Sequence, residues 1–364
     1  MSQPSSLRAR NRAKVLRVLL DGGLVSRSAL AGEVRLSKVT VTSIIGGLLS
    51  EGWLTEAGKA GGLAGRPASL VDLHPRAGTI MGLDVQPAGV RVIRADLRGA
   101  GRVESFHPAA NREELTGVTW AALERAVTDQ PAWGPLRHAT LAVPAPVGPL
   151  GLLTEPNSLP ELDAPLLLAR AQEAGFALSV ENDVNLSAVA EQAEGAARGE
   201  ASFALLGQRD SGLGVGLVLA GEVYRGVRGR AGELARARWW RLGAPWPLEG
   251  LPPEVQAEAL AHLVTALVVA LDLDLLVLQD DRTQPLAADL TQPPLGGLDQ
   301  ASSLQKRVRE LLPPEVRVTA GSLAWRSPCI GALLTSRRAV HERLLRSPIL
   351  ASTAPLAPPS RRSL

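Results

Sequence analysis

Between Ser26 and Glu51 two apolar-periodic segments are separated only by Arg35, Leu36 and Ser37, and this spacing constrains the chain more than any other feature. Ser26 can cap a helix over Arg27–Val34, with Leu30 and Val34 facing inward. Arg35-Leu36 then turns the chain, and Ser37 can cap a second helix running to about Glu51. In that helix Val41, Ile44, Ile45, Leu48 and Leu49 form the apolar stripe, leaving Lys38, Thr40, Thr42 and Ser43 near its exposed start. An amphipathic helix over Leu7–Asp21 precedes them and stops at Gly22-Gly23. Behind them, Glu56–Arg66 reads as a glycine-rich loop and Ala68–Leu73 as an alternating strand. Two short helices on a tight turn followed by a β-wing predict a winged helix-turn-helix.

Charge supports that reading. Residues 1–76 hold 11 Lys/Arg against 5 Asp/Glu, a net +6, while the remainder holds 28 against 31, a net −3. A basic head on a mildly acidic body is expected to bind a polyanion, here a double-stranded DNA operator. Lys38 is placed for phosphate, and Ser37, Thr40, Thr42 and Ser43 for the groove. Arg66, in Gly65-Arg66-Pro67, is placed for a narrow minor groove. A three-helix packing module with a merely solvated surface is the alternative.

Several function classes are excluded by composition. The chain of 364 residues is 45% hydrophobic, enough for more than one core. Its single cysteine, Cys329, precludes an internal disulfide and any multi-cysteine metal site. The five histidines lie far apart and show no ligand spacing, so no metal and no cofactor are expected. The apolar run Leu263–Leu278 is broken by Asp272 and Asp274 and is too short for a bilayer. The polar, arginine-rich start lacks an apolar leader region, so a cytoplasmic location without membrane contact is expected.

Beyond residue 76 the pattern alternates strands with helices. Strands are expected at Thr79–Val85, Val90–Leu97, Ala139–Val143, Ser202–Leu206, Gly214–Leu219 and Leu275–Leu278. Helices fit Arg112–Thr128, Leu166–Ala174, Asn185–Ala196 and Pro253–Leu271, which predicts an α/β architecture. In this order stand Val143-Pro144-Ala145-Pro146-Val147, Pro156-Asn157, Glu181-Asn182-Asp183-Val184-Asn185, Ser211–Gly216 and Ala231-Gly232-Glu233. With Ser37–Thr42 and Gly65–Pro67 ahead of them, these motifs resemble the ROK family of repressors and sugar kinases. The resemblance spans roughly residues 10–335. It implies a two-lobed actin-like ATPase body of ribonuclease H-like type over residues 77–345, behind a DNA-binding domain at 1–76. A disordered tail is expected over 346–364.

The resemblance also assigns roles. Asn157, Asn182, Asp183 and Glu233 match positions that hydrogen-bond sugar hydroxyls in the family, and Asp183 matches the kinases' general base. Asn182 or Asp183 has a plainer role open to it, as cap of the helix near Asn185, and Glu233 could be a surface turn residue. Where the kinases carry Asp-x-Gly-Gly-Thr, this chain has Asp84-Val85-Gln86-Pro87-Ala88, and Pro87 has no N–H for a phosphate. Gln279-Asp280-Asp281 stands where glycines admit adenine. The family's histidine and three cysteines, which hold zinc, give way to Arg236 and to Trp239, Trp240 and Trp246. Tryptophan packing is expected to hold that loop instead, with Glu249 returning toward the pocket. These departures imply a catalytically inactive body that dimerises or tetramerises and takes a sugar or sugar-phosphate effector. The alternatives are a regulator without a small-molecule ligand and, last, an ATP-dependent sugar kinase.

Overall fold

The computed structural model describes residues 4–60, 68–128, 132–148, 151–154, 157–209, 212–280 and 298–346. Arg66, Pro156 and Ser211 lie outside the described residues, as do the side chain of Glu249 and the tail from residue 347.

The chain begins with α1 (Pro4–Asp21), three residues longer at its start than the apolar pattern alone indicates. A two-residue strand β1 (Val25–Ser26) leads to α2 (Arg27–Val34), which Ser26 caps by accepting the Ala29 N–H. Arg35 adopts φ 54°, a left-handed turn that ends α2, and Ser37 caps α3 (Lys38–Ser50) by accepting the Thr40 N–H. A hairpin follows, β2 (Leu54–Ala60) and β3 (Ala68–Leu73), and β1 completes a three-stranded sheet in the order β1-β3-β2. The expected loop at Glu56–Arg66 is therefore strand up to Ala60. Gly58 at φ 102° sits where the β2–β3 register shifts, so an isolated glycine marks a bulge rather than the strand's end.

The body starts with β4 (Thr79–Gln86), β5 (Gly89–Asp96) and β6 (Val103–Pro108), then α4 (Leu115–Thr128), β7 (Leu136–Val143), α5 (Ala164–Glu173) and β8 (Ala177–Asn182). After α6 (Asp183–Glu194) come β9 (Phe203–Arg209), β10 (Gly212–Leu219) and β11 (Glu222–Val223), and a small hairpin of β12 (Arg238–Arg241) and β13 (Ala244–Pro247). Next are α7 (Pro253–Ala270), β14 (Leu275–Asp280), α8 (Leu298–Leu311), β15 (Arg317–Ala320) and α9 (Ser327–Arg346). The apolar run Leu263–Leu278 thus divides into helix and strand at Asp272, which sits at φ 53°. No described helix is long and apolar enough to cross a membrane.

The two five-stranded sheets repeat one topology. The first runs β6-β5-β4-β7-β8 and the second β11-β10-β9-β14-β15, each 3-2-1-4-5 by order within its half. In both, the first three strands are antiparallel and the last two join in parallel. The result is an α/β body of two like lobes. Helix α9 packs on the first sheet, α6 on the second, and the two helices pack on each other. That stack is tight. A Cβ on Gly331 of α9 would stand 1.9 Å from the Leu186 carbonyl oxygen, and one on Gly82 of β4 2.3 Å from that of Cys329.

Residues on either side of position 76 share one apolar core. Leu16, Leu19 and Leu20 of α1 cluster with Leu97 and with Leu333, Leu334, Val340 and Leu344 of α9. Arg98 donates to the Leu19 carbonyl at 2.7 Å and pairs with Asp72 of β3. The head is docked against the body, not tethered to it.

Candidate functional site

Four of the five pocket residues singled out above converge. Asn157, Asn182, Asp183 and Glu233 line one cavity of about 330 Å³ between the lobes, with Arg209, Arg236, Pro146 and Gly214 among its other walls. The fifth, Glu249, lies on a short 3-10 turn whose backbone is described but whose side chain is not.

Local chemistry fixes each wall. Asn182 is the N-cap of α6: its Oδ1 accepts the N–H groups of Val184 and Asn185, both at 3.0 Å. Its Nδ2 donates to the Ala145 carbonyl, tying the cap to the Pro144–Pro146 loop. The capping role is thus satisfied within the protein, and the residue still borders the cavity. Asn157 accepts the Leu159 N–H at 2.9 Å. Glu233 is held out by its neighbour: Gly232 sits at φ 82°, and a Cβ there would come 1.7 Å from the Val215 carbonyl oxygen of β10. Only glycine lets this turn lie on the sheet, which accounts for the small residue before the acid.

Asp183 is the most perturbed group. Its Oδ1 accepts its neighbour's N–H from Val184, and its Oδ2 faces Arg209 at 3.4 Å. Its carboxyl is raised to about 7: burial pushes it up most, Arg209 pulls it down, and the charge of Asp84 adds to the rise. Arg209 also donates to Asp84 Oδ2 at 2.8 Å, and all three side chains are buried. Gln86, in place of a phosphate-loop glycine, donates to the other Asp84 oxygen at 2.8 Å. Sequence reasoning missed Arg209. Its signal was a lone arginine closing the apolar strand Phe203–Gln208.

The other positions compared above with the kinases' nucleotide site have internal explanations. A Cβ on Gly214 or Gly207 would press on Val184, and one on Gly216 would stand 2.7 Å from the Val184 carbonyl oxygen. These glycines let α6 sit on the second sheet. Gln279 is buried, donating to the Ala324 carbonyl and accepting from Ser327 Oγ at the start of α9.

The tryptophan segment needs correction. Strand alternation turns Trp239 and Trp240 to opposite faces. Trp239 packs into the second-lobe core, with its ring 5.7 Å from that of His262, but Trp240 is 70% exposed and Trp246 41%. One tryptophan of three anchors the hairpin, and the buried Leu248 and Leu251 do the rest. Arg236 and these tryptophans offer none of the donors of a histidine and three-thiolate zinc site. Cys329 is buried elsewhere, donating to the Gly82 carbonyl, its thiol pushed up by burial.

On the head, Ser37, Lys38, Thr42 and Ser43 are exposed, whereas Thr40 is half-buried with its hydroxyl on Ser37 Oγ at 2.8 Å. Val39 was passed over in the sequence. It is 80% exposed and shares a face with Thr42, Ser43 and Gly46 at helical spacing. An apolar side chain on such a face is a candidate contact for a thymine methyl.

Residues 103–238 match the ROK family. A protein of Caldicellulosiruptor sp. (strain Rt8B.4) is 29% identical over 235 residues, covering 62% of this chain and 57% of the relative. The xylose repressor of Caldicellulosiruptor bescii is 25% identical over 240 residues, covering 64% and 60%, and that of Bacillus subtilis 25% identical over 233, covering 62% and 59%. The chain thus spans less than two thirds of the length of these relatives. A ROK family transcriptional regulator, a homologue of the E. coli MLC protein, superposes with a TM-score of 0.65 at 15% identity, covering 93% of this chain and 98% of that one. A ROK hexokinase from Thermus thermophilus superposes at 0.53 and 23% identity, covering 72% and 99%. Both likenesses establish the actin-like fold, and the chain carries a ROK family domain.

Proposed function

We propose that this chain is a DNA-binding transcriptional repressor whose ROK body binds a sugar-type effector and does not catalyse phosphoryl transfer. The observation that supports the reading is the joining of two capped helices on a tight turn, α2 and α3 with an exposed polar face, to a body in which Asn157, Asn182, Asp183 and Glu233 border one cavity. Residues 1–76 then form a winged helix-turn-helix domain, with Ser37, Lys38, Thr42 and Ser43 toward the DNA, Thr40 bracing the helix start, and Arg66 in the wing. Two copies would present two heads to a roughly palindromic operator. The relatives named xylose repressors make carbohydrate genes the expected targets and xylose the first effector to try.

Inactivity rests on Asp84 and Asp183. Both carboxylates are engaged by Arg209, and Pro87 removes a phosphate-binding N–H. The experiment is genome-wide mapping of bound sites, followed by thermal-shift assays with neutral and phosphorylated sugars. Enriched sites beside sugar genes and a ligand-raised melting temperature support the reading. ATP consumption with any hexose or pentose would instead favour a kinase.

A further inference from the structure

The buried cluster of Arg209, Asp84 and Asp183 links the two sheets side chain to side chain, beside the α6–α9 stack that separates them. Asp84 lies on β4 of the first sheet, Arg209 at the end of β9 in the second, and Asp183 at the first turn of α6 between them. The side chains are 0%, 8% and 3% exposed. Two buried carboxyls that feel one another's charge need a cation or a shared proton, because an unpaired charge out of water is far more costly than a paired one. The chain supplies that cation from its own second lobe.

We propose that Arg209 is the positioning residue of the cleft. It is a built-in counter-ion that latches one lobe to the other through Asp84 and holds Asp183 as an acceptor for a ligand hydroxyl, with no nucleotide or metal in that role. The part concerning the ligand rests on the reading of the cavity as an effector pocket; the latch does not. A guanidinium suits the task because its fork reaches two carboxylates at once, which an ammonium does less well. Gln86 supports the arrangement by donating to the Asp84 oxygen that Arg209 leaves. The other charged groups around Asp183 are Glu233 and Arg236 on the pocket wall, and the Cys329 thiol stands behind Asp84.

The test places spin labels at Glu173→Cys on α5 and Glu254→Cys on α7, both exposed and one on each lobe. Cys329, the single native cysteine, is buried and stays unlabelled. Double electron–electron resonance on the full chain is expected to give one narrow distance distribution. Arg209→Gln should broaden it or move it to longer distance, and Arg209→Lys should restore most of the narrow component. Since Arg209→Gln leaves two buried carboxylates unpaired, the charge-balanced pair Asp84→Asn/Arg209→Gln is measured alongside and should also broaden it. A distribution unchanged in the folded double variant overturns the latch. A second readout separates positioning from mere support. The Asp183 carboxyl band, taken by difference infrared against Asp183→Asn, should titrate at higher pH in Arg209→Gln and return toward the native midpoint in Arg209→Lys. An unmoved midpoint overturns the positioning role. Xylose is then added to each variant. If it shifts no melting temperature even in the native chain, the effector reading loses support while the two spectroscopic results still decide the role of Arg209.

Discussion

Gly331→Ala tests the tight crossing of α9 over α6 on which the layered body depends. The added methyl would stand 1.9 Å from the Leu186 carbonyl oxygen, against backbone, not against a flexible side chain. The helices must part by about 1 Å or more before the contact is tolerable, and overpacking of this kind destabilises by about 1–3 kcal/mol. For a chain of this size that corresponds to a melting-temperature drop of roughly 1–4 °C. The same substitution at Gly117 has the opposite sign. Gly117 lies in α4 with ordinary helical backbone and nothing within 4 Å of the added carbon, so Ala should stabilise by roughly 0.5–1 kcal/mol. Differential scanning calorimetry of the two variants beside the native chain makes the comparison. A Gly331→Ala protein as stable as the native one would refute the close-packed α6–α9 stack and the layer order built on it.

Other perturbations separate the remaining parts of the account. Asp183 is an acid whose folded pKa is raised, so its contribution is full below the unfolded value near 3.8 and is lost as pH rises toward about 7. Asp183→Asn escapes that loss, and its melting temperature relative to the native chain should rise between pH 4.5 and pH 8; a constant difference would contradict the buried, perturbed carboxyl. Lys38→Ala should weaken DNA binding about equally across sequences and lower the salt slope by about 1, measured by fluorescence anisotropy at several salt concentrations. Arg98→Ala removes both the Leu19 carbonyl bond and the Asp72 pair, a loss of about 1–3 kcal/mol, and hydrogen exchange should accelerate at the end of α1. Unchanged exchange there would mean that the shared core alone holds the head.

How far the sequence could be read varies with the physics at each place. Helices α2 and α3 were legible almost to the residue, because Ser26 and Ser37 are local caps and their apolar stripes repeat at helical spacing. The β4–β5 hairpin was equally plain, since Pro87 and Gly89 punctuate it. By contrast β8 and α9 are stabilised by long-range packing. The α9 sequence opens Ser327-Pro328 and carries Gly331, which look like breakers until Leu186 is brought against Gly331 and Ser187 and Gln279 against Ser327. The residues that line the pocket, Asn157, Asn182, Asp183 and Glu233, were found through motifs in order, but the partner that joins the carboxylates of Asp84 and Asp183 was not. Arg209 lies 125 residues from Asp84 in the chain, and no local pattern connects them. The tryptophan segment shows the converse error: three large rings suggested a buried clamp, and strand alternation exposes two of them in part or in full.

The central claim is that the basic head reads DNA sequence under control of the pocket. Its most direct test is the affinity of the full chain for a mapped genomic site and for a scrambled duplex of the same length, with and without xylose, at fixed salt. The account predicts at least about a thousandfold preference for the mapped site and a fall in that affinity when the effector is present. Equal affinity for both duplexes, or ATP-dependent phosphorylation of the sugar in the same mixture, would contradict it.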